Sequence, residues 1–159
     1  MCGITGYIGF RDAYPIVVNG LKRLEYRGYD SSGIMMYDGK DIQLSKTKGK
    51  LSDLEAITDN EEGRKKGNIG IGHTRWATHG VPNDVNSHPH LSQSGDLVIV
   101  HNGIIENYDS LRKELISRGY TFKSDTDTEV LINLIEEVKT QENCKLGQAV
   151  QLALNNVIG

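Results

Sequence analysis

Residues 68–74 read Asn-Ile-Gly-Ile-Gly-His-Thr, and this stretch decides the fold that we expect. Its isoleucines alternate with small residues, a pattern that predicts a buried β-strand. Residues 97–100, Leu-Val-Ile-Val, form a second β run that is entirely apolar. Strands that are mostly apolar need a covering layer on each face. We therefore predict a layered α+β domain with a sheet in its interior.

Local patterns before residue 68 predict the elements that surround this strand. A helix is predicted over Ala13–Leu24, because Val17 and Leu21 fall on one of its faces. Asp38-Gly39-Lys40 predicts the turn of a β-hairpin. The other predictions are strands at residues 4–8, 34–37 and 42–45, a weak helix at 51–57 and a long polar loop at 75–91.

The C-terminal third of the chain predicts three helices. The first ends near Gly119, a residue suited to a left-handed stop. Thr126 and Glu129 have the spacing of a capping box ahead of an apolar stripe, which places Asp127 in the first turn of the second helix. The third stripe, at residues 146–157, needs a surface to cover. We therefore expect the sheet to continue past the last residue and the fold to be incomplete at its C-terminus.

Composition and charge exclude several classes of protein. The 159 residues carry a net charge of −3, so no basic excess is available for nucleic acid. No apolar run approaches the roughly 18 residues that span a membrane, and the first residues lack the basic region of a signal peptide. Two cysteines do not make a disulfide framework. We expect one cytoplasmic domain that binds neither nucleic acid nor membrane.

Cys2 is the first candidate for chemistry. Removal of Met1 would make Cys2 the N-terminal residue, with a thiol and a free α-amine on the same residue. An α-amine has a pKa of about 7.7–8.0 and can act as a base near neutral pH. A nucleophile that uses its own amine as base is a known arrangement for amide cleavage. The alternative is a small buried residue in the first strand.

All five histidines lie between His73 and His101, and residues 73–80 within this stretch read His-Thr-Arg-Trp-Ala-Thr-His-Gly. Arg75 offers a planar fork for a carboxylate, and the neighbouring threonines and histidines add donors. Trp76 is the only tryptophan, and its polar surroundings favour a lid over a core residue. The alternative is an ordinary loop with a solvated arginine.

The histidines also raise the question of a zinc site. His88 and His90 would have to combine with His73 or His79, but the spacing matches no zinc motif. Asp84 is the one acidic residue near them in sequence. We therefore expect no metal.

His101-Asn102-Gly103 follows the apolar run directly. An asparagine at a strand end can aim its amide into a cavity, and a glycine lets its backbone N–H approach a ligand, so the pair could stabilise an oxyanion. The alternative is a plain Asn-Gly turn. Asp127 is the last candidate, where the alternative is a favourable interaction of a carboxylate with the helix dipole.

Taken together, these motifs resemble those of a known family. The chain is similar over its whole length to the glutaminase domains of the glutamine–fructose-6-phosphate aminotransferases, which are class II, N-terminal-nucleophile glutamine amidotransferases. The resemblance rests on residues 2–4, 24–31, 73–80, 87–90, 101–108 and 124–129. The amidophosphoribosyltransferase branch of the same superfamily usually has different sequences at the second and third of these motifs, residues 24–31 and 73–80.

The resemblance implies a fold, an activity and a set of site residues. The fold is an αββα four-layer sandwich of the N-terminal-nucleophile type. The activity is hydrolysis of glutamine to glutamate and ammonia through a thioester on Cys2, without a cofactor, with Asn102 and the Gly103 amide as the oxyanion hole. The implied substrate-binding residues are Arg75 for the α-carboxylate, Thr78 and His79 beside it, Asp127 for the α-ammonium, and Trp76 at the ammonia channel.

The resemblance also implies partners. Residues 1–159 would be the N-terminal part of a glutamine amidotransferase type-2 domain, with the sugar-isomerase domains absent from this chain. In the full-length enzyme, a homodimer, ammonia converts fructose 6-phosphate to glucosamine 6-phosphate in hexosamine biosynthesis. Two alternatives stay open: a non-catalytic glutamine- or glutamate-binding fragment, if Met1 is retained or the incomplete domain disables the site, and a zinc hydrolase.

Overall fold

The chain folds into two compact units. The computed structural model describes residues 2–25, 29–59, 66–76 and 83–159. The first unit comprises the residues up to Pro89 together with 100–102, and the second comprises 90–99 and 103–159. Within the described ranges, every helix is too short or too polar to cross a bilayer.

In its described residues, the first unit contains a four-stranded antiparallel sheet and two helices. Its elements are β1 (Gly3–Ile8), α1 (Ala13–Leu24), β2 (Ser31–Tyr37), β3 (Ile42–Lys48), α2 (Leu51–Thr58) and β4 (Ile69–Arg75). The strand order is β1-β4-β2-β3, so β4 pairs with β1 on one side and with β2 on the other. The strand predicted from residues 68–74 is therefore an interior strand of the sheet.

The glycines of β4 let helix α1 lie close to the sheet. A Cβ at Gly72 would lie 2.6 Å from Cγ1 of Val17, so only glycine fits beneath the helix at this position. Both helices of the unit pack on this face around Ile34, which is fully buried. Because side chains alternate along a strand, His73 and Arg75 belong to the opposite face.

The second unit contains a short hairpin and three helices. Its elements are β5 (His90–Leu91), β6 (Val98–Ile99), α3 (Tyr108–Ser117), α4 (Asp127–Gln141) and α5 (Leu146–Leu154). Helix α4 contacts β5 and β6 as well as α3 and α5. The hydrophobic core of the second unit includes one buried residue from each helix: Leu115 of α3, Val130 of α4 and Ala149 of α5.

The helix ends follow the sequence signals. The Thr126 side chain accepts a hydrogen bond from the N–H of Glu129 at 3.3 Å, as the N-cap prediction requires. The Glu129 carboxylate reaches further back and accepts from the N–H of Lys123 at 2.9 Å and of Ser124 at 2.7 Å. Gly119 has a φ of +95°, which confirms the left-handed stop after α3.

Two predictions at the level of elements were wrong. Residues 75–91 were expected to be loop throughout, but His90–Leu91 forms β5. A strand of two residues is too short to produce a periodic signal. Residues 97–100 were expected to be a buried strand, but β6 covers only Val98–Ile99 and is half-buried, since its sheet has two strands in the described residues. The α+β class is confirmed, because each unit packs helices on antiparallel strands.

Candidate active site

Strand pairing in the first unit brings Cys2 to the end of β4. Gly3 pairs with Thr74, so Cys2 lies beside the last residues of β4. The N–H of Trp76 donates to Cys2 Sγ at 3.2 Å, and the thiol donates to the carbonyl of Trp76 at 3.6 Å. The thiol is half-buried. Cys2 is therefore held by backbone contacts at a sheet edge and stays reachable from solvent.

Asn102 holds both Cys2 and β4 through its side-chain amide. Its Nδ2 donates to the carbonyl of Cys2 at 3.0 Å, and its Oδ1 lies 2.8 Å from Nε2 of His73. A carbonyl only accepts, so Nδ2 must face Cys2 and Oδ1 must face the histidine. His73 Nε2 therefore carries a hydrogen and donates it to Asn102.

His73 is uncharged at neutral pH. Burial lowers the pKa of its imidazole to about 4, and the charges of Arg75 and His101 lower it as well, while the hydrogen bond with Asn102 opposes them. The side chain is 1% exposed, and its ring stacks on that of His88 with centroids 4.3 Å apart. Its hydrogen bond with Asn102 was not predicted, because His73 was grouped with the carboxylate-binding motif. The only signal in the sequence was the position of Asn102 soon after the apolar run 97–100.

Arg75 lies on the same sheet face as His73, two residues along β4. It is 5% exposed, so the alternative of a solvated arginine in an ordinary loop is wrong. Trp76, the next residue, is 53% exposed, which fits a lid better than a core residue. The predicted binding residues Thr78 and His79 lie outside the described residues.

Asp127 belongs to the second unit and begins α4. Its Oδ2 accepts a hydrogen bond from the N–H of Ile105 at 2.9 Å, which fixes the backbone shortly after Gly103. No local pattern predicts this contact, because helix α3 separates the two residues in the sequence. Arg75 is in the first unit, so its predicted partnership with Asp127 around one ligand stays a prediction.

Three of the four histidines that were considered for zinc lie in the described residues and make other contacts. His73 and His88 stack on each other, and His90 Nε2 lies 3.1 Å from the hydroxyl of Thr126. Among the described residues, no three His, Cys, Asp or Glu side chains converge as a metal site would require. Cys2 and Cys144 are both free thiols and belong to different units.

Comparison with known families assigns the class of the protein. Residues 58–147 match the family described as the glutamine amidotransferase domain, which is more than half of the chain. The chain belongs to the glutamine amidotransferase domain family. The motif that contains Arg75 and Trp76 and the Asn102-Gly103 pair both fall within the matched range.

Individual relatives are more specific. The chain is 57% identical over 160 residues to a glutamine–fructose-6-phosphate aminotransferase (isomerizing) of Bacteroides thetaiotaomicron, an alignment that covers 100% of this chain and 26% of the relative. It is 60% identical over 136 residues to the protein of the same name from Caldanaerobacter subterraneus subsp. tengcongensis, covering 86% of this chain and 22% of the relative. The chain thus spans about a quarter of the length of the curated relatives that it matches.

Solved structures support the same fold. The glutamine phosphoribosylpyrophosphate amidotransferase of B. subtilis, complexed with ADP and GMP, superposes with a TM-score of 0.81 at 29% identity. That match covers 100% of this chain and 33% of the other chain. A structure titled as the allosteric regulatory enzyme of purine biosynthesis has a TM-score of 0.82 at 30% identity, covering 99% of this chain and 33% of its own. The predicted α+β fold of the glutamine amidotransferases is therefore confirmed.

Proposed function

We propose that Cys2 hydrolyses the side-chain amide of L-glutamine to L-glutamate and ammonia. The observation that carries this proposal is the joint placement of the Cys2 thiol and the Asn102 amide at the end of β4. A nucleophile and a nearby amide donor are what attack on a carboxamide needs. Membership of the glutamine amidotransferase domain family supports glutamine as the substrate.

Charge complementarity supports the roles of the binding residues. Glutamine carries an α-carboxylate and an α-ammonium, and Arg75 presents a guanidinium fork for the carboxylate. We assign the ammonium to Asp127, whose carboxylate already anchors Ile105. Trp76 gates the channel through which the released ammonia leaves the site. Thr78 and His79, in the same motif, contribute further contacts to glutamine.

The reaction runs through a thioester. The Cys2 sulfur attacks the amide carbon of glutamine, and the carbonyl oxygen becomes an oxyanion that the Asn102 amide and the Gly103 N–H stabilise. The carbon–nitrogen bond then breaks and ammonia leaves with the proton that came from the thiol. Water adds to the γ-glutamyl thioester, the carbon–sulfur bond breaks, and glutamate is released. The sum is glutamine plus water to glutamate plus ammonia.

The α-amine of Cys2 carries the proton in this mechanism. With Met1 removed, this amine accepts the thiol proton during the attack and returns it to the departing ammonia. A general base near its ordinary pKa of about 7.7–8.0 works well close to neutral pH. The enzyme is therefore an N-terminal-nucleophile hydrolase that needs no cofactor.

In the longer protein, we propose that this chain supplies ammonia for an aminotransferase. The names of the 57% and 60% identical relatives support fructose 6-phosphate as acceptor. We assign glucosamine 6-phosphate as the product and sugar-isomerase domains of the longer protein as the site of its formation. Phosphoribosylpyrophosphate amidotransferases are less similar, at 29% and 30%. We place the homodimeric enzyme in the cytoplasm, where its free thiols stay reduced.

The full-length protein tests the proposal directly. We expect it to release glutamate and ammonia from glutamine, and to gain one adduct at Cys2 by intact mass when treated with the thiol-reactive analogue 6-diazo-5-oxo-L-norleucine. Cys2→Ala should abolish both. Cys144→Ser is the matched control and should keep both, since Cys144 lies between α4 and α5, far in sequence from every proposed site residue. Binding of glutamine without turnover in processed protein would favour a non-catalytic binding module instead.

A further inference from the structure

The Asn102 side chain is held on both of its polar ends within the first unit. Nδ2 donates to the carbonyl of Cys2, and Oδ1 accepts from Nε2 of His73 at 2.8 Å. An amide nitrogen has two hydrogens, and only one of them is used by Cys2. Among the residues that the structure describes, no second acceptor faces this nitrogen, so its other hydrogen can reach a substrate bound next to the thiol.

We propose that His73 is a positioning residue that fixes which way the Asn102 amide faces. This inference rests on the proposed glutamine hydrolysis, in which Asn102 stabilises the oxyanion. The amide oxygen and nitrogen of asparagine are nearly equal in size, so sterics alone do not choose between its two orientations. The N–H donor at His73 Nε2 makes one orientation more stable, because it bonds Asn102 when Oδ1 faces β4 and Nδ2 faces Cys2.

The wrong orientation would oppose catalysis rather than merely weaken it. Rotated by 180°, Asn102 would turn its oxygen toward the carbonyl of Cys2 and toward the developing oxyanion. Loss of one oxyanion donor typically costs about 10²–10³ in rate, and a misdirected oxygen adds repulsion between lone pairs. Fixing the orientation before the substrate arrives is what makes such a donor effective.

The structure immobilises His73 for this task. Its neighbour across the sheet is Gly33, and a Cβ there would lie only 2.0 Å from the carbonyl oxygen of His88. That close approach lets the ring of His88 stack on His73. Lys46 anchors the same segment, donating to the carbonyl of Ser87 at 2.8 Å. The His73 imidazole is therefore held in place by the sheet and by the segment that contains Ser87 and His88.

The test compares two substitutions in the full-length protein. His73→Met fills similar volume without a donor, so Asn102 would divide between its two orientations. We expect kcat for glutamate formation to fall about 10- to 100-fold, less than the 10²–10³ typical of losing an oxyanion donor outright, while KM changes less than about threefold. His73→Gln restores an N–H donor of similar reach and should recover most of kcat. Tyr14→Phe, which removes a buried 2.9 Å hydrogen bond to Thr58, is the control: it should lower the melting temperature and leave kcat unchanged.

A double-mutant cycle separates positioning from general damage. In an Asn102→Ala background, His73→Met should cost almost nothing further, because its only catalytic effect passes through Asn102. An equal loss in both backgrounds, or no recovery with His73→Gln, would overturn the proposal.

Failure of the unsubstituted protein to release glutamate would refute the proposed function and not the positioning role of His73. If the unsubstituted protein released no glutamate, neutron crystal structures, which distinguish an amide nitrogen from an amide oxygen, would still decide the positioning role. The 3.0 Å contact from Asn102 Nδ2 to the Cys2 carbonyl should persist with His73→Gln and be lost with His73→Met. Persistence of this contact in both variants would contradict the positioning role of His73.

Discussion

At the scale of single residues, we expect the identity of the N-terminal residue to decide whether the site can hydrolyse glutamine. Retaining Met1 turns the α-amine of Cys2 into an amide nitrogen, which has no useful basicity. We expect protein that keeps Met1 to bind glutamine through Arg75 but to form glutamate at least about 100-fold more slowly, the lower range for loss of a general base. Isothermal calorimetry and a glutamate assay on both forms measure the two properties separately. Equal rates would remove the amine as the base.

Arg75 makes a second prediction at this scale. An ammonium is a point charge and cannot reproduce the two parallel bonds of a guanidinium to a carboxylate. We expect Arg75→Lys to raise KM for glutamine about 10- to 100-fold, the equivalent of one charge-assisted hydrogen bond. Arg118→Lys is the control, since Arg118 pairs with Glu137 at 3.0 Å on the surface of the other unit. An unchanged KM for Arg75→Lys would exclude Arg75 from substrate binding.

At the scale of elements, the start of α4 combines a structural and a proposed binding role. Thr126→Ala removes the N-cap and should lower the free energy of unfolding by about 1–2 kcal/mol with little change in KM. Asp127→Asn keeps an acceptor for the N–H of Ile105 but loses its charge. We expect it to raise KM for glutamine while costing less than about 1 kcal/mol of stability, the usual size of a helix-dipole interaction.

Urea denaturation and steady-state kinetics on the same two variants decide this prediction. If Asp127→Asn left KM unchanged, Asp127 would serve only the helix end and Ile105. If Thr126→Ala raised KM as much as Asp127→Asn, the effect would come from displacement of α4 and not from the charge of the carboxylate.

At the scale of the whole molecule, His73 links stability to pH. Its pKa is about 4 in the folded protein and 6.5 when unfolded, so the unfolded state binds a proton first as the pH falls. The stability that neutral His73 contributes is complete above pH 6.5 and is lost between about pH 6.5 and 4. At 1.36 kcal/mol per pKa unit, the loss is about 3 kcal/mol. The other titratable groups around His73 are Arg75, His88 and His101.

The comparison with His73→Gln isolates this contribution. The variant keeps Arg75, His88 and His101 but has no imidazole to titrate at position 73. We expect its free energy of unfolding to fall by about 3 kcal/mol less than that of the native protein between pH 7 and pH 4. Urea titrations at both pH values measure the difference, and parallel pH dependences would contradict the prediction.

Several elements were predictable because their causes are local. Helix α1, the hairpin of β2 and β3, and interior strand β4 follow from apolar periodicity over a few residues. The N-cap at Thr126 and the stop at Gly119 follow from the preferences of single residues. The resemblance of the motifs likewise identified the family. The sequence by itself therefore determined the elements, their class and the residue types that carry the chemistry.

Only the tertiary structure decided how those residues meet. Cys2 contacts Trp76, 74 positions away, because β1 pairs with β4 in one register, and His73 reaches Asn102 across 29 positions. Periodicity shows which face of a strand is buried, but it does not encode which strand lies alongside or in what register. Ile105 and Asp127 meet for the same kind of reason. Contacts between distant residues follow from the packing of whole elements, and no local pattern specifies that packing.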